Sequence, residues 1–417
     1  MKFLLQFAWK NLSRYRKRTI ITASAIAVGL AAFIYIDSML AGTEKESERN
    51  LIWYETSSSR IVTEKYWEER DKLPLKYSLT NVEKAESILK EMKIPYAPRV
   101  TFAAELIVRK EPFREDGSIQ VKVSAIDPQK DDAVFRFKET VEEGRYLNQG
   151  EQGALMGAWL AEDLGAQAGY PITLVTRTKN GYFQTIDVTI SGIVNCPNPY
   201  INRGTIFIPL DIADALLQME DTVTEIDLRF PELSDVAKLS AEVEERLKKE
   251  LPDTRVVTWK DLAQDYIQLA GAKQGGTKVI LLLVFIIAAV GISNTMLMAI
   301  YERVREIGML RALGMKDSDI RLSILLEAGG IGMLGSAIGT AVGILLNAWL
   351  INTGIDFSFF MRQMNVGYRV AGIIRGVWNP GTIITALILG IILSMLIAFI
   401  PARKATSMEI TDALRHQ

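Results

Sequence analysis

At 417 residues the chain is long enough for two or three ordinary soluble domains, yet its apolar residues are bunched rather than spread. Its 48 Lys and Arg nearly balance 49 Asp and Glu with no long basic run, which argues against a nucleic-acid partner. A single cysteine, Cys196, excludes an internal disulfide, and a single histidine, His416, argues against His/Cys metal sites and Ser–His or Cys–His dyads within one chain.

Four apolar blocks stand at 19–41, 277–300, 322–350 and 381–400. Each is near or above the ~20 residues a helix needs to cross a ~30 Å hydrocarbon layer. The expected fold is therefore a membrane protein with four transmembrane α-helices and a large α/β domain, 42–276, inserted between the first and the second.

The segment 1–18 opens with MKFLLQFAWKNL, which places Phe3, Leu4, Phe7 and Ala8 on one helical face ahead of a basic cluster. It reads either as a helix lying at the inner membrane surface or as the start of the first span's helix. The first block runs past 20 residues, and its far end, YIDSMLAGTE, lacks an A-x-A site; no cysteine follows for lipidation. It is expected to be an uncleaved anchor.

In the domain, TNVEKAESILKEMK has Val82, Ala85, Ile88, Leu89 and Met92 at helical spacing, and IQVKVSAIDP alternates like a strand. PITLVTRTKNGYFQTIDVTISGIV holds two β-rich runs around Asn180-Gly181, a hairpin signal. A second helix, ELSDVAKLSAEVEERLKKE, precedes a strand, TRVVTW, and DLAQDYIQLAGAKQGGTKV reads as a helix into the second span with GAKQGG as a hinge. Gly271 to Lys278 only faintly resembles a phosphate loop, because Gly276-Thr277-Lys278 reverses the required Gly-Lys-Ser/Thr order and no strand leads in. Glu142-Glu143 and Asp131-Asp132 read as solvated faces, and no catalytic constellation stands out.

Between the second and third blocks, in 301–321, lies ERVREIGMLRALGMKDSDI. Glu302, Arg303, Arg305 and Glu306 make a charged turn of no net sign; Ile307, Leu310 and Arg311 follow at helical spacing, with Leu313 three beyond Leu310. Gly314 supplies a stop and Asp317 a cap for the next helix. A chain reversal needs only about 2–8 residues, so this stretch reads as a short amphipathic helix that docks into a partner's groove rather than as a solvated turn.

In the third block Gly335, Gly339 and Gly343 stand four apart, with Ser336 and Thr340 alongside. Such a ridge permits close helix approach in lipid, either as packing within the subunit or as a surface that slides. The acids inside the blocks are Asp37, read as solvated at the outer end of the first span, and Glu327. The latter has either an interfacial or helix-dipole role or a partner on a span or another protein.

Basic residues set the orientation. Lys2, Lys10, Arg14, Arg16, Lys17 and Arg18 precede the first span; Arg303, Arg305, Arg311, Lys316 and Arg321 follow the second; Arg403, Lys404 and Arg415 lie in the tail, 401–417. The loop 351–380 carries only Arg362, Arg369 and Arg375. Both termini are then cytoplasmic and 42–276 faces the other side.

ERVREIGMLRALGMKDSDI resembles the signature after the second transmembrane helix of FtsX-like ABC transporter permeases, which include MacB-type and lipoprotein-releasing (Lol-type) proteins. PARKATSMEITDALR resembles the family's closing motif and FAWKNLSRYRKRTIITASAIAVG its N-terminal one; Ile410 departs from a proline common in relatives. The order of one span, a large domain and three spans also matches. With no fused ATPase among its 417 residues, the sequence sits nearer the Lol-type permeases.

The resemblance implies a non-catalytic permease subunit of the bacterial inner membrane, with the large domain periplasmic. Its partners would be a dimer of ATPase subunits, which bind ATP and Mg²⁺, and a second permease, identical or related. It makes 301–321 the coupling helix, with Glu302, Arg303, Arg305, Glu306, Ile307, Leu310, Arg311, Leu313 and Gly314 at the ATPase contact. Its implied task is mechanotransmission: lifting lipoproteins from the outer leaflet toward a periplasmic carrier or outer-membrane partner. Phe33, Ile36, Met39 and Leu40 are then candidates for contact with acyl chains and membrane lipid. Control of a cell-wall hydrolase and MacB-like efflux of drugs or peptides are the alternatives.

Overall fold

The computed structural model describes residues 16–109, 111–113, 116–231, 234–268, 300–357 and 372–407, with single positions 270, 271, 275, 286, 289, 290, 293, 294, 296, 297, 298 and 370. The N-terminal segment 1–15, most of the second apolar block, most of the GAKQGG hinge and the tail beyond 407 lie outside the described residues. The chain divides into a helical unit (Met1–Glu44, Ala270–Asp356, Ile373–Gln417) and an inserted unit (Lys45–Leu269, Phe357–Gly372).

Among the described residues, helices of nine residues or more are α1 (Arg16–Leu51), α2 (Val82–Glu91), α3 (Val236–Lys248), α4 (Val304–Ala312), α5 (Asp317–Thr353) and α6 (Pro380–Ser407). Those carrying the first, third and fourth apolar blocks, α1, α5 and α6, are long and apolar enough to cross a membrane. All three overrun their blocks. At 1.5 Å per residue the 36 residues of α1 reach about 54 Å, against a ~30 Å hydrocarbon layer. The apolar block marks where lipid can be met, whereas the helix ends where helix formers end. EKESERNL continues α1 with an i,i+3 ion pair, Arg49–Glu46. At the start of α6, Asn379 Oδ1 accepts from Thr382 N at 3.4 Å and Pro380 takes the first helical position, where its missing N–H costs nothing.

The strands of the inserted unit are β1 (Ser59–Thr63), β2 (Tyr96–Val108), β3 (Gly117–Ile126), β4 (Val141–Gly144), β5 (Gly153–Gly157), β6 (Pro171–Arg177), β7 (Phe183–Val194), β8 (Thr205–Pro209), β9 (Glu225–Leu228) and β10 (Thr254–Thr258). The pairings β2–β3–β8–β5–β7–β6–β2 close a circuit of six strands. One edge of β2 is shared: β9 takes Tyr96–Arg99 and β6 takes Glu105–Ile107. From β9 the sheet continues as β1 and then β10. β3/β8 and β5/β7 are parallel and the other pairings antiparallel, so the expected α/β content takes the form of a mixed sheet. The expected hairpin is β6/β7, in register from Pro171↔Thr189 to Arg177↔Phe183, with Gly181 at φ +87° in its loop.

Phe102, Leu106, Val123, Ile186, Ile206 and Leu228 belong to one continuous core, onto which Ala85, Ile88 and Leu89 of α2 and Val243 and Leu247 of α3 pack. α3 begins where Asp235 accepts a hydrogen bond from Lys238 N at 3.2 Å. A second cluster gathers Phe135, Phe137 and Phe207, with the Phe137 and Phe207 ring centroids 4.5 Å apart.

Candidate functional site

The segment expected to dock to a partner is α4 and its flanks. Nine residues are helical, bounded by Arg303 and Leu313 rather than filling 301–321. The helix ends as its sequence dictates: Gly314 adopts φ +90°, its N–H reaches Arg311 O at 3.0 Å, and Met315 N–H reaches Leu310 O at 3.1 Å. That double bond pattern is the Schellman stop that glycine favours. Asp317 differs from expectation. The position before α5 is Lys316, without a side-chain cap, and the Asp317 carboxylate instead receives Arg311 Nε at 3.0 Å. An ion pair with a half-buried guanidinium wins over a backbone contact that water can replace.

Val304 and Gly308 are buried and Ile307, Leu310 and Arg311 half-buried, at the i, i+3, i+4, i+7 spacing of one face. Glu302, Arg305, Glu306, Met309 and Leu313 are exposed. The face available to a partner thus combines three of the expected charges with Leu313, 79% exposed, and with Met309, an apolar residue that the sequence reading overlooked. Ile307, Leu310 and Arg311 turn instead toward α5.

Arg303 is held inward: its Nη2 lies 2.7 Å from Glu327 Oε1 in α5, and both side chains are largely buried. Glu327 thus has a partner within the chain, in the segment 301–321 rather than on a span or on another protein. The ion pair borders a cavity of about 40 Å³, lined also by Met296, Ile300, Leu310 and Met315.

The glycine ridge of α5 faces α1. A Cβ on Gly335 would lie 2.7 Å from Ala23 O, one on Gly339 2.6 Å from Ala27 O, and one on Gly343 3.0 Å from the Ile34 side chain. It is packing within the chain. Around the helix, a Cβ on Gly332 would meet Ser394 Oγ of α6 at 2.6 Å. Among the hydroxyls at these contacts, Thr22, Ser336 and Thr340 carry buried oxygens without a hydrogen-bond partner.

Phe33, Ile36, Met39 and Leu40, the candidate lipid contacts, are each half-buried, and Phe33 packs on the core made by Ile26, Leu30, Ile34 and Ile331. Beside them, Asn379 Nδ2 donates to Asp37 Oδ2 at 3.1 Å, so Asp37 has a protein partner within the helical unit. Ser38 and Asn347, both buried, hydrogen-bond to each other, and Ser38 Oγ accepts from Val377 N at 3.0 Å. Sequence reasoning missed this node, although a serine and an asparagine inside apolar blocks are the signal that such nodes give.

The inserted unit holds a group of buried charges that no local pattern of residues foretells. Arg60 Nε meets Asp227 Oδ1 and Arg60 Nη1 meets Glu225 Oε2, both at 2.8 Å. Arg99 Nη2 lies 2.6 Å from Asp131 Oδ1, with its guanidinium 3.5 Å above the Phe135 ring. Asp131 is therefore not part of a solvated face: its side chain is 1% exposed. The short helix Pro128–Asp131 turns it inward, while Asp132 stays at the surface and pairs with Lys138 at 3.7 Å. Burial, only partly offset by Arg99, pushes the Asp131 carboxyl up to about 6. Burial likewise raises Asp227 despite Arg60. Burial also works against ionisation of Glu225, but Arg60 and its other partners outweigh it and hold that carboxyl low. Among the described residues no cluster of His, Cys, Asp and Glu could hold a metal ion.

The MacB-like periplasmic core domain model matches residues 19–246, and the FtsX-like permease C-terminal model matches 278–410, which takes in α4, α5 and α6. The chain belongs to the FtsX-like, MacB-type family of ABC transporter permeases. Three relatives align along nearly all of this permease. An uncharacterized ABC transporter permease of Methanocaldococcus jannaschii is 23% identical, covering 99% of this chain and 97% of that one. The lipoprotein-releasing system transmembrane protein LolC of Neisseria meningitidis is 22% identical, covering 96% and 94%. The macrolide export ATP-binding/permease protein MacB of Hahella chejuensis is 24% identical over 99% of this chain, which spans 60% of that protein.

Proposed function

We propose that this permease is a subunit of an ATP-driven exporter that lifts lipoproteins from the outer leaflet of an inner membrane and releases them to a periplasmic carrier or outer-membrane partner. In this reading its basic flanks and α4 face the cytoplasm and the inserted unit faces the periplasm. A separate pair of ATPase subunits binds ATP and Mg²⁺, and a second permease, identical or related, completes the complex. What carries the reading is the end-to-end match to LolC, 96% of one chain against 94% of the other. It is joined by a short helix whose outer face offers charges and an exposed Leu313 to a partner. The match to the macrolide exporter supports efflux as the second reading.

Depletion of the permease in its own host distinguishes them. Lipoproteins are expected to accumulate in the inner membrane, measured by fractionation and immunoblotting. Normal sorting, with increased macrolide sensitivity or with failed cell-wall cleavage, would point to efflux or to hydrolase control instead.

The docking role has its own test. Arg305→Glu combined with Glu306→Lys inverts the exposed charges of α4 while leaving the inward pairs of Arg303 and Arg311 alone. Affinity for the partner ATPase, titrated in detergent, is expected to fall at least ~10-fold, or ~1.4 kcal/mol, with membrane insertion unchanged. Undiminished binding would remove α4 from the contact.

A further inference from the structure

α4 is tied to α5 at both of its ends. At the first, Arg303 reaches into α5 to meet Glu327 at 2.7 Å, with side-chain exposures of only 12% and 6%. At the second, Arg311 meets Asp317 in the opening turn of α5 at 3.0 Å. Eight residues of helical rise, about 12 Å, separate the two anchors. Two fixed points on one helix define its direction, so α4 cannot pivot against α5 without breaking one of them. The two anchors are unequal. Asp317 is 45% exposed, and water can replace Arg311 as its partner. Glu327 sits beside Ala328 and Ile331, 0% and 1% exposed, on a cavity whose other walls include Met296, Ile300 and Leu310. Separating two opposite charges in so enclosed a place is disfavoured, because water cannot readily take either one's role.

We propose that the Arg303–Glu327 pair is the joint that makes α4 and the start of α5 one rigid lever, so that a displacement of α4 is delivered into α5. Beyond the joint, α5 packs directly on α1 at Gly335 and Gly339 and on α6 at Gly332. Arg303 and Glu327 are positioning residues: they act through the orientation of α4, and the exposed face of that helix does not include them. The proposal rests on α4 being where force from an ATPase arrives.

The test uses the full chain in lipid nanodiscs, spin-labelled at Met309→Cys in α4 and Leu334→Cys in α5, both exposed; Cys196, 1% exposed, stays in place. The interlabel distance distribution is expected to be narrow in the parent and at least twofold broader in Glu327→Gln, which removes the charge that faces the Arg303 guanidinium. The charge swap Arg303→Glu with Glu327→Arg should narrow it again. Arg303→Gln is the second route should Glu327→Gln fail to insert. An unchanged distribution in the single variants overturns the joint.

In vesicles with the ATPase, ATP and Mg²⁺, Glu327→Gln is expected to keep the parent's ATPase affinity while losing at least tenfold in release rate, with recovery in the swap. Affinity lost in parallel with rate would assign the pair to folding of the docking face and overturn the proposal. If even the parent binds no ATPase, the functional reading above fails, while the label distances still decide the joint.

Discussion

Arg60→Met is expected to destabilise the inserted unit by about 3–5 kcal/mol at neutral pH, the usual consequence of removing one member of a buried ion pair and leaving the other charged. The side chain is 10% exposed, and it partners two carboxylates that are themselves 2% and 0% exposed. Methionine fills much of the volume but leaves Glu225 and Asp227 on the same strand without their main counter-charge. Thr101 Oγ1 still donates to Glu225 and Ser57 Oγ to Asp227, but neutral hydroxyls do not replace a guanidinium. Denaturant unfolding of the full chain in detergent, followed by the fluorescence of Trp53, Trp67, Trp159 and Trp259, reads the loss. The effect should depend on pH. Burial already raises the folded-state pKa of Asp227, and losing Arg60 raises it further. A carboxyl raised in the folded state contributes stability below its unfolded value and loses it as pH rises through the folded one. The deficit of the variant therefore grows as pH rises through the folded-state value of Asp227 and shrinks as pH falls toward the ordinary carboxylate range. A deficit that does not change with pH would mean that lost packing, rather than an unpaired carboxylate, is responsible.

Gly339→Leu is expected to prevent assembly of the helical unit. The first added atom alone would lie 2.6 Å from the Ala27 carbonyl oxygen and 2.7 Å from its Cα. Those are backbone atoms of a regular helix, so no rotamer change relieves the clash; α5 must back away from α1 along the whole ridge. Overpacking ordinarily costs ~1–3 kcal/mol, and here the displacement also opens the Gly335 and Gly343 contacts. Little folded permease should survive detergent extraction, as judged by monodispersity on size exclusion and by protease resistance. Gly29→Ala is the matched control: a Cβ there meets nothing within 4 Å, and alanine is the better helix former. Equal behaviour of the two variants would show that the ridge does not set the helix separation.

What could be read in advance follows from the range of the interactions. The hairpin at Asn180-Gly181, the periodic helices α2 and α3, and the glycine that ends α4 are local signals, and each appears where its residues predict. The ridge of Gly335, Gly339 and Gly343 announced close approach, though its partner, α1, lies some 300 positions earlier in the chain. β2 escaped notice because YAPRVTFAAELIV is buried without a break from Ala97 to Phe102, and its later in-out alternation is blurred by apolar residues at the outward positions Ala103 and Ile107. The charges at Arg60, Arg99, Asp131, Glu225 and Asp227 come from four separate elements, and nothing in their immediate neighbours distinguishes them from surface residues. For the same reason Asp131 and Asp132 look alike in sequence yet have opposite fates. At α4 the residue types were right, but one helical face could not be told from the other without α5, which claims Ile307, Leu310 and Arg311 and leaves Met309 and Leu313 outside.

The sheet of the inserted unit pairs its earliest strand with its latest: Ser59 lies opposite Thr258, and Thr63 opposite Thr254. A ribosome releases those partners nearly two hundred residues apart, about ten to forty seconds at ordinary synthesis rates. Until residues 225–228 emerge neither edge of β1 is paired, and until 254–258 emerge one edge still lies open to water or to a chaperone. The long wait makes this domain a late folder. A truncation before residue 254 should leave a sticky, protease-sensitive species, whereas trimming after 258 would leave the sheet complete.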